Sequence, residues 1–320
     1  MTLPDDDHYW LLAQRILDGY VIPFLGAGAN LVQRPDGTPW ELGRYLPSAK
    51  ELAEILAGKS RYPQRSNDLL RVSQYVDAML GERALYQYLR ALFNADYPPN
   101  TLHRLLARIP ALLRREGTRR QLVITTNYDD ALERAFAAQD EPYDLVWYEA
   151  KRGDTCGKFI HRPPDGPRVA IDVPNEYDAL NLDERPVILK LHGAIDRHDP
   201  RHDSFVITED NYIDYLARGD IQGHIPVTLR EVMIESHFLF LGYSMRDWNL
   251  RVILNRMWGQ AQLDVKSWAV QLPASERKEN DIEQKLWADR GDVELLQLPL
   301  EEYVARLEEQ LEAAAAEGVS

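Results

Sequence analysis

Four short, largely apolar runs, each breaking off into glycine or a polar group, constrain this chain more than any other feature. They are Val21–Leu25 running into Gly26–Asn30, Gln121–Thr125 into Thr126–Asp129, Val187–Leu191 into His192-Gly193, and Phe238–Leu241 into Gly242–Ser244. Runs this short, without polar alternation, read as strands covered on both faces. Covered strands of this kind belong to parallel sheets, whose carboxyl ends open on one edge where α/β proteins bind ligands. The expected fold class is therefore α/β: a Rossmann-like doubly wound parallel sheet with a helical insert lobe.

The rest of the chain fills in around those strands. A helix over His8–Asp18, led by Asp5-Asp6-Asp7 and closed by Gly19, precedes the first strand. Pro35-Asp36-Gly37 marks a turn in the loop Asn30–Trp40. Helical periodicity over Glu51–Ala57, Leu69–Leu80, Ala84–Phe93 and Leu102–Leu113 makes a lobe of about four helices, longer than an ordinary crossover. A helix over Asp130–Ala138 and a strand at Leu145–Trp147 follow. The proline-punctuated stretch Lys151–Arg185 reads as loop, with a hairpin around Val169–Val173. Beyond it come a short strand at Phe205–Thr208 and helices over Glu209–Ala217, Ile225–Ser236 and Trp248–Met257. Strands at Ser267–Gln271 and Val293–Leu296 and a helix over Glu301–Ala315 complete the order. The domain expected is a single unit over residues 1–300, with a helical insert at about 45–117 and a loop insert at about 150–186. A C-terminal helix and tail occupy 301–320.

The strand ends bring together groups with distinct chemistry. Gly26 and Gly28 permit a tight turn and the approach of a phosphate, although Leu31 breaks the full GxGxxG pattern. Thr126 and Ser244 supply hydroxyls, Asn127 an amide that both donates and accepts, and His192 an imidazole that titrates near neutrality. Bland roles remain open for each. Asn127 and Asp129 also suit caps of the following helix, His192-Gly193 a plain strand-end turn, and Asp247 a helix cap rather than an acid. Tyr128 and Tyr243 suit either stacking on a base or packing, and Trp40 packing alone. His198-Asp199 and His202-Asp203 have a spacing open to a metal, yet sit in a polar loop, and no metal is expected there.

Charge and cysteine content narrow the classes. A formal net charge of −14 argues against a broad grip on nucleic acid or an anionic membrane. The cluster Arg114, Arg115, Arg119 and Arg120 reads as a solvated helix end. Cys156 is the only cysteine, which excludes an internal disulfide and a four-cysteine zinc site within one chain. No apolar run approaches the ~18 residues of a membrane span. With no signal-peptide pattern at the amino end, a soluble cytoplasmic protein is expected.

Taken in order, Gly26-Ala27-Gly28, Thr126-Asn127-Tyr128-Asp129, Leu191-His192-Gly193 and Gly242-Tyr243-Ser244 resemble the motifs of the sirtuin-like NAD-binding superfamily. Thr125-Thr126 stands where Thr-Gln is usual, and the likeness runs roughly from Val21 to Leu298. Two departures set the chain apart from the protein deacylases of that family. It lacks their zinc cysteines, and Leu31–Trp40 replaces their Gly-Ile-Pro-Asp-Phe-Arg loop. The resemblance is to the zinc-less bacterial branch, which hydrolyses NAD in defence against phage. It implies NAD as substrate, no zinc, and Asn127 and His192 as catalytic groups. Gly26, Ala27, Gly28, Asn30, Thr126, Asp129, Gly193, Gly242, Tyr243 and Ser244 would hold the dinucleotide. It further implies a homo-oligomer with a partner protein encoded nearby, a HerA-like ATPase being favoured and a short Argonaute the other choice. The helical insert or the Lys151–Arg185 loop would gate the site. An NAD-dependent deacylase and a non-enzymatic nucleotide-binding sensor are the alternatives.

Overall fold

The computed structural model describes residues 4–118, 121–217, 223–243, 254, 265–272, 287 and 293–317. Its strands are β1 (Val21–Leu25), β2 (Leu122–Thr125), β3 (Asp144–Tyr148), β4 (Phe159–Arg162), β5 (Val169–Ala170), β6 (Val187–Lys190), β7 (His237–Leu241), β8 (Ser267–Gln271) and β9 (Val293–Gln297). They form a single sheet in the order β5-β4-β3-β6-β2-β1-β7-β8-β9. The run from β3 to β9 is parallel throughout, and β4 and β5 add antiparallel pairs at one edge. The chain leaves β1 toward β2 on one side and later adds β7 on the other, so the switch point lies between β1 and β7.

Alternation along the strands assigns the two faces. Val21 and Leu25 of β1, with Leu239 and Leu241 of β7, join one core; Ile22, Phe24, Phe238 and Phe240 join the other. The first face is covered by α1 (Asp6–Leu17), α5 (Thr101–Arg115), α6 (Ala131–Ala137) and α9 (Leu300–Glu317), and the second by α7 (Glu209–Ala217) and α8 (Val227–Glu235). A third core belongs to α2 (Ala49–Ser60), α3 (Leu69–Leu80) and α4 (Glu82–Phe93), which pack Leu52, Val72, Val76, Leu89 and Phe93 against Phe205 and Ile207. Of the four helices expected in the lobe, α5 instead lies on the sheet, because its apolar face meets α1, α6 and α9.

Phe205–Thr208, expected as a short strand, is a buried extended loop in the structure. Its apolar side chains fill the lobe interface and the core of the second face, while the backbone makes single bonds rather than a ladder, with the Val206 amide donating to the His192 carbonyl at 2.9 Å. The expected hairpin around Val169–Val173 pairs differently as well. Ala170 opposes Ile160 of β4, which in turn runs against β3. Of the helix expected at Trp248–Met257, only Leu254 is among the described residues.

Candidate functional site

The four motif-bearing strands are contiguous in the order β6-β2-β1-β7 and parallel, so their carboxyl ends open on one edge. At the switch point two turns interlock. The Gly26 amide donates to Leu241 O at 3.0 Å and the Gly28 amide to Gly242 O at 2.9 Å. A Cβ on Gly28 would fall 2.7 Å from Gly242 O, and one on Gly242, whose φ is +75°, would fall 2.0 Å from the Ala29 nitrogen. Both glycines are therefore demanded by the close approach of β1 and β7. Ala27–Leu31 continues as a 3-10 turn.

Side chains from β2 close over that turn. Asn127 Nδ2 donates to Gly26 O at 3.0 Å, and its amide to Thr125 Oγ1 at 3.0 Å. Asn30 Nδ2 donates to Asp129 Oδ2 at 2.7 Å, and Asp129 Oδ1 accepts from the Ala131 amide at 3.1 Å. Asp129, one residue before the N-cap Asp130, thus holds the first amide of α6 and anchors the glycine turn at once. Asn100, the N-cap of α5, donates to Ala29 O at 2.8 Å, holding the turn from a third side. Thr126 Oγ1 is hydrogen-bonded to the Tyr243 hydroxyl, and the Tyr243 ring lies over Gly26, 2.8 Å from where a Cβ would stand. Ser244 and Asp247 lie outside the described residues.

Thr125 and Lys190 are register partners, so Asn127 and His192 each stand two residues past neighbouring strand positions. Gly193, at φ +88°, turns the chain so tightly that a Cβ would reach 2.2 Å from Ser204 O. The His192 ring is buried against the edges of Tyr212 and Tyr215. Its Nδ1 lies 3.3 Å from the Tyr212 hydroxyl, and its Nε2 has no hydrogen-bond partner among the described residues. Burial lowers its pKa to about 3, so the imidazole is neutral. In the tautomer whose Nδ1 donates to the Tyr212 hydroxyl, Nε2 presents a lone pair; in the other, Nδ1 accepts from that hydroxyl and Nε2 carries the proton.

A cleft of about 760 Å³ adjoins the switch point, lined by Gly28, Gly242, Tyr243, Gln271 and Leu300 on the sheet side. Arg34, Asp36, Ser48 and Glu51 line the other wall. Asn127 and His192 lie outside that lining, and Tyr243, bonded to Thr126, stands between the two regions. Behind Asn127 is a group that sequence reasoning passed over. Lys190, the last residue of β6, is buried with Nζ bonded to Asp129 O and 2.6 Å from Glu133 Oε1. Burial pushes the Glu133 carboxyl up, against the pull of Lys190. Its signal in the sequence was a lysine inside an otherwise apolar strand. Arg197 ties Asp130 to the Ala95 carbonyl at the end of α4, so the lobe is pinned to the same loop. His202 lies 3.6 Å from Asp196 and 3.8 Å from Asp199, yet among the described residues no group of three or more His, Cys, Asp or Glu is placed to hold a metal. Nor is any helix, among those residues, long and apolar enough to cross a membrane.

The sheet and its crowded switch point define a doubly wound α/β domain with its functional groups on one strand-end edge. Residues 121–292, just over half of the chain, match the SIR2-like domain model, and the chain belongs to that family. It is 27% identical over 240 residues to the defense-associated sirtuin 2 of Bacillus subtilis, covering 74% of this chain and 19% of that protein. It is 25% identical over 194 residues to the NAD(+) hydrolase ThsA of Cytobacillus dafuensis, covering 61% of this chain and 31% of the other. With ThsA of Bacillus cereus strain MSX-D12 the identity is 26% over 241 residues, covering 75% and 42% respectively. The chain thus spans less than half the length of these relatives.

Proposed function

We propose that this chain hydrolyses NAD+ to ADP-ribose and nicotinamide, as an effector that depletes NAD in defence against phage. The observation that carries the reading is a buried, neutral His192 whose Nε2 has no partner among the described residues, one strand away from Asn127. The relatives, two of them named NAD(+) hydrolases and one a defense-associated sirtuin, support it.

The reaction breaks the bond between ribose C1′ and the nicotinamide nitrogen, whose electron pair leaves with nicotinamide. Water adds its oxygen to C1′ and loses one proton. Asn127, with Nδ2 committed to Gly26 O, offers Oδ1 to the water or to a ribose hydroxyl. His192 Nε2 takes the proton from that oxygen. Asp129 holds Asn30 and the loop that carries Asn127. The adenosine half would occupy the cleft beside Gly28, Gly242 and Gln271. Ser244 would hold a ribose hydroxyl. Reaching the pyrophosphate position over Gly26 requires the Tyr243 ring to move. Activity of this kind must be restrained at rest. The lobe, held to the Asn127 loop through Arg197, is the element through which an oligomer or a partner, a HerA-like ATPase or a short Argonaute, would act.

The test is NAD consumption by the purified chain, alone and with the product of a neighbouring gene, beside Asn127→Ala and His192→Ala. Loss of NAD in the wild type that falls by about a hundredfold or more in both variants is expected. NAD binding without turnover in either condition would overturn the hydrolase and leave a nucleotide sensor.

A further inference from the structure

We propose that Lys190 and Glu133 form a buried clamp that positions the Asn127–Asp130 loop for catalysis. The inference rests on the NAD-hydrolase reading. Lys190 follows Val187, Ile188 and Leu189 on a strand covered on both faces and is 1% exposed, a setting in which lysine is rare. Its Nζ reaches three acceptors: Glu133 Oε1 at 2.6 Å, the Asp129 carbonyl, and the Tyr128 carbonyl at 3.5 Å. Both carbonyls belong to the short segment that begins with Asn127. The Tyr128 carbonyl also accepts from the Ile195 amide at 2.9 Å, just past His192. A single ammonium therefore joins the strand that delivers His192 to the loop that delivers Asn127.

Stability alone is a poor reason for such a pair. Replacing a buried ion pair by apolar side chains of similar volume is often neutral or favourable. What an apolar pair cannot do is donate to inward-pointing backbone carbonyls: without Nζ the Tyr128 carbonyl keeps the Ile195 amide, but the Asp129 carbonyl loses the bond that Nζ gives it. Lys190 does not touch the crevice and acts through the peptide units on either side of Asp129, so it is a positioning residue. Glu133, on α6, balances its charge and fixes the direction of Nζ.

The experiment compares wild type, Lys190→Met and the double variant Lys190→Met/Glu133→Leu by thermal melting, amide hydrogen exchange over residues 126–131, and kcat and KM for NAD. Lys190→Met should melt lower, because it leaves Glu133 buried and unpaired. The double variant should regain most of the melting temperature. Its loop amides should still exchange faster, by about tenfold, and kcat should stay down by about tenfold with KM changed less than about threefold. A folded double variant with wild-type exchange and wild-type kcat would overturn the clamp. If the double variant does not fold, Glu133→Gln replaces it. Lower kcat with unchanged KM then supports the clamp, and unchanged kcat and exchange overturn it. If wild type leaves NAD intact, the hydrolase reading fails, and the exchange measurement alone decides whether the pair fixes the loop.

Discussion

At the scale of single residues, the side chain that decides most is His192. An exposed imidazole titrates near 6.5, but burial against Tyr212 and Tyr215 lowers His192 to about 3. A depressed pKa means the neutral base persists as pH falls and is lost only toward pH 3. On the NAD-hydrolase reading, kcat/KM reports the unliganded protein, and no acid limb from His192 is therefore expected in it between pH 6 and 7. Bound NAD brings an anionic pyrophosphate that favours imidazolium, so the acid limb of kcat should lie at higher pH than that of kcat/KM. Measuring both profiles from pH 4.5 to 8 checks this; a limb near 6.5 in kcat/KM, absent in His192→Ala, would contradict the buried neutral state. The placement of Asn127 and His192 at one edge was legible in the sequence because each follows the end of an apolar run. The partners of Lys190 were not: a lysine inside an apolar run signals a buried cation but not which carboxylate and carbonyls it meets. The engagement of the Gly26 and Gly28 amides by β7 was hidden for a similar reason: glycine declares that something comes close, not whether it is ligand or backbone.

At the scale of elements, α5 contains Pro110, which has no amide hydrogen to give the Leu106 carbonyl one turn earlier. That carbonyl accepts instead from Gln121 Nε2 at 3.1 Å, at the entrance to β2. A side chain outside the helix thus satisfies the carbonyl that the proline leaves without a donor and ties α5 to the start of β2. Gln121→Leu should lower stability by about 1–3 kcal/mol, the cost of a buried carbonyl left without a donor. In a Pro110→Ala background, where residue 110 regains its amide, the same substitution should cost less. Denaturant unfolding of the four forms measures the coupling, and equal costs in both backgrounds would refute it. The periodicity of α5 marks a helix, and its place in the chain, directly after α4, groups it with the lobe. Helical periodicity identifies an apolar face and leaves open what that face meets; only the packing on α1, α6 and α9 settles it. Phe205–Thr208 repeats the lesson, its burial legible and its lack of a ladder not.

At the scale of the whole molecule, the parallel sheet followed from the sequence while the strand order did not. β6 enters between β2 and β3, an insertion that apolar runs of similar length cannot specify. The same holds for the cleft, whose walls come from the sheet edge at β7 and β8 and, far off in sequence, from the Arg34 loop and α2. The two parts of that second wall are joined by one ion pair. Arg34 donates to Glu51 Oε2 at 2.9 Å and to Thr38 O at 2.7 Å, while Glu51 completes the capping box of α2 with Ser48. Hydrogen bonds from Arg34 outweigh desolvation and lower the Glu51 carboxyl to about 2. For a depressed carboxylate the stabilisation is fully present above the unfolded pKa, near 4.5, and is lost as pH falls toward 2. Because Glu51 is partly exposed, solvent screening leaves its contribution at about 1 kcal/mol. Glu51→Gln should therefore unfold more easily than wild type by about that amount at pH 7, with the difference shrinking below pH 4.5. Chemical unfolding at pH 7, 4.5 and 3 measures it. A difference that stays constant with pH would mean that the pair acts by shape rather than charge. On the NAD reading, the same variant loosens the wall that faces the adenosine half and should weaken NAD binding even at pH 7, where the carboxylate is fully ionised. Calorimetry at that pH separates the two effects, because a variant with wild-type affinity would place the adenosine half elsewhere.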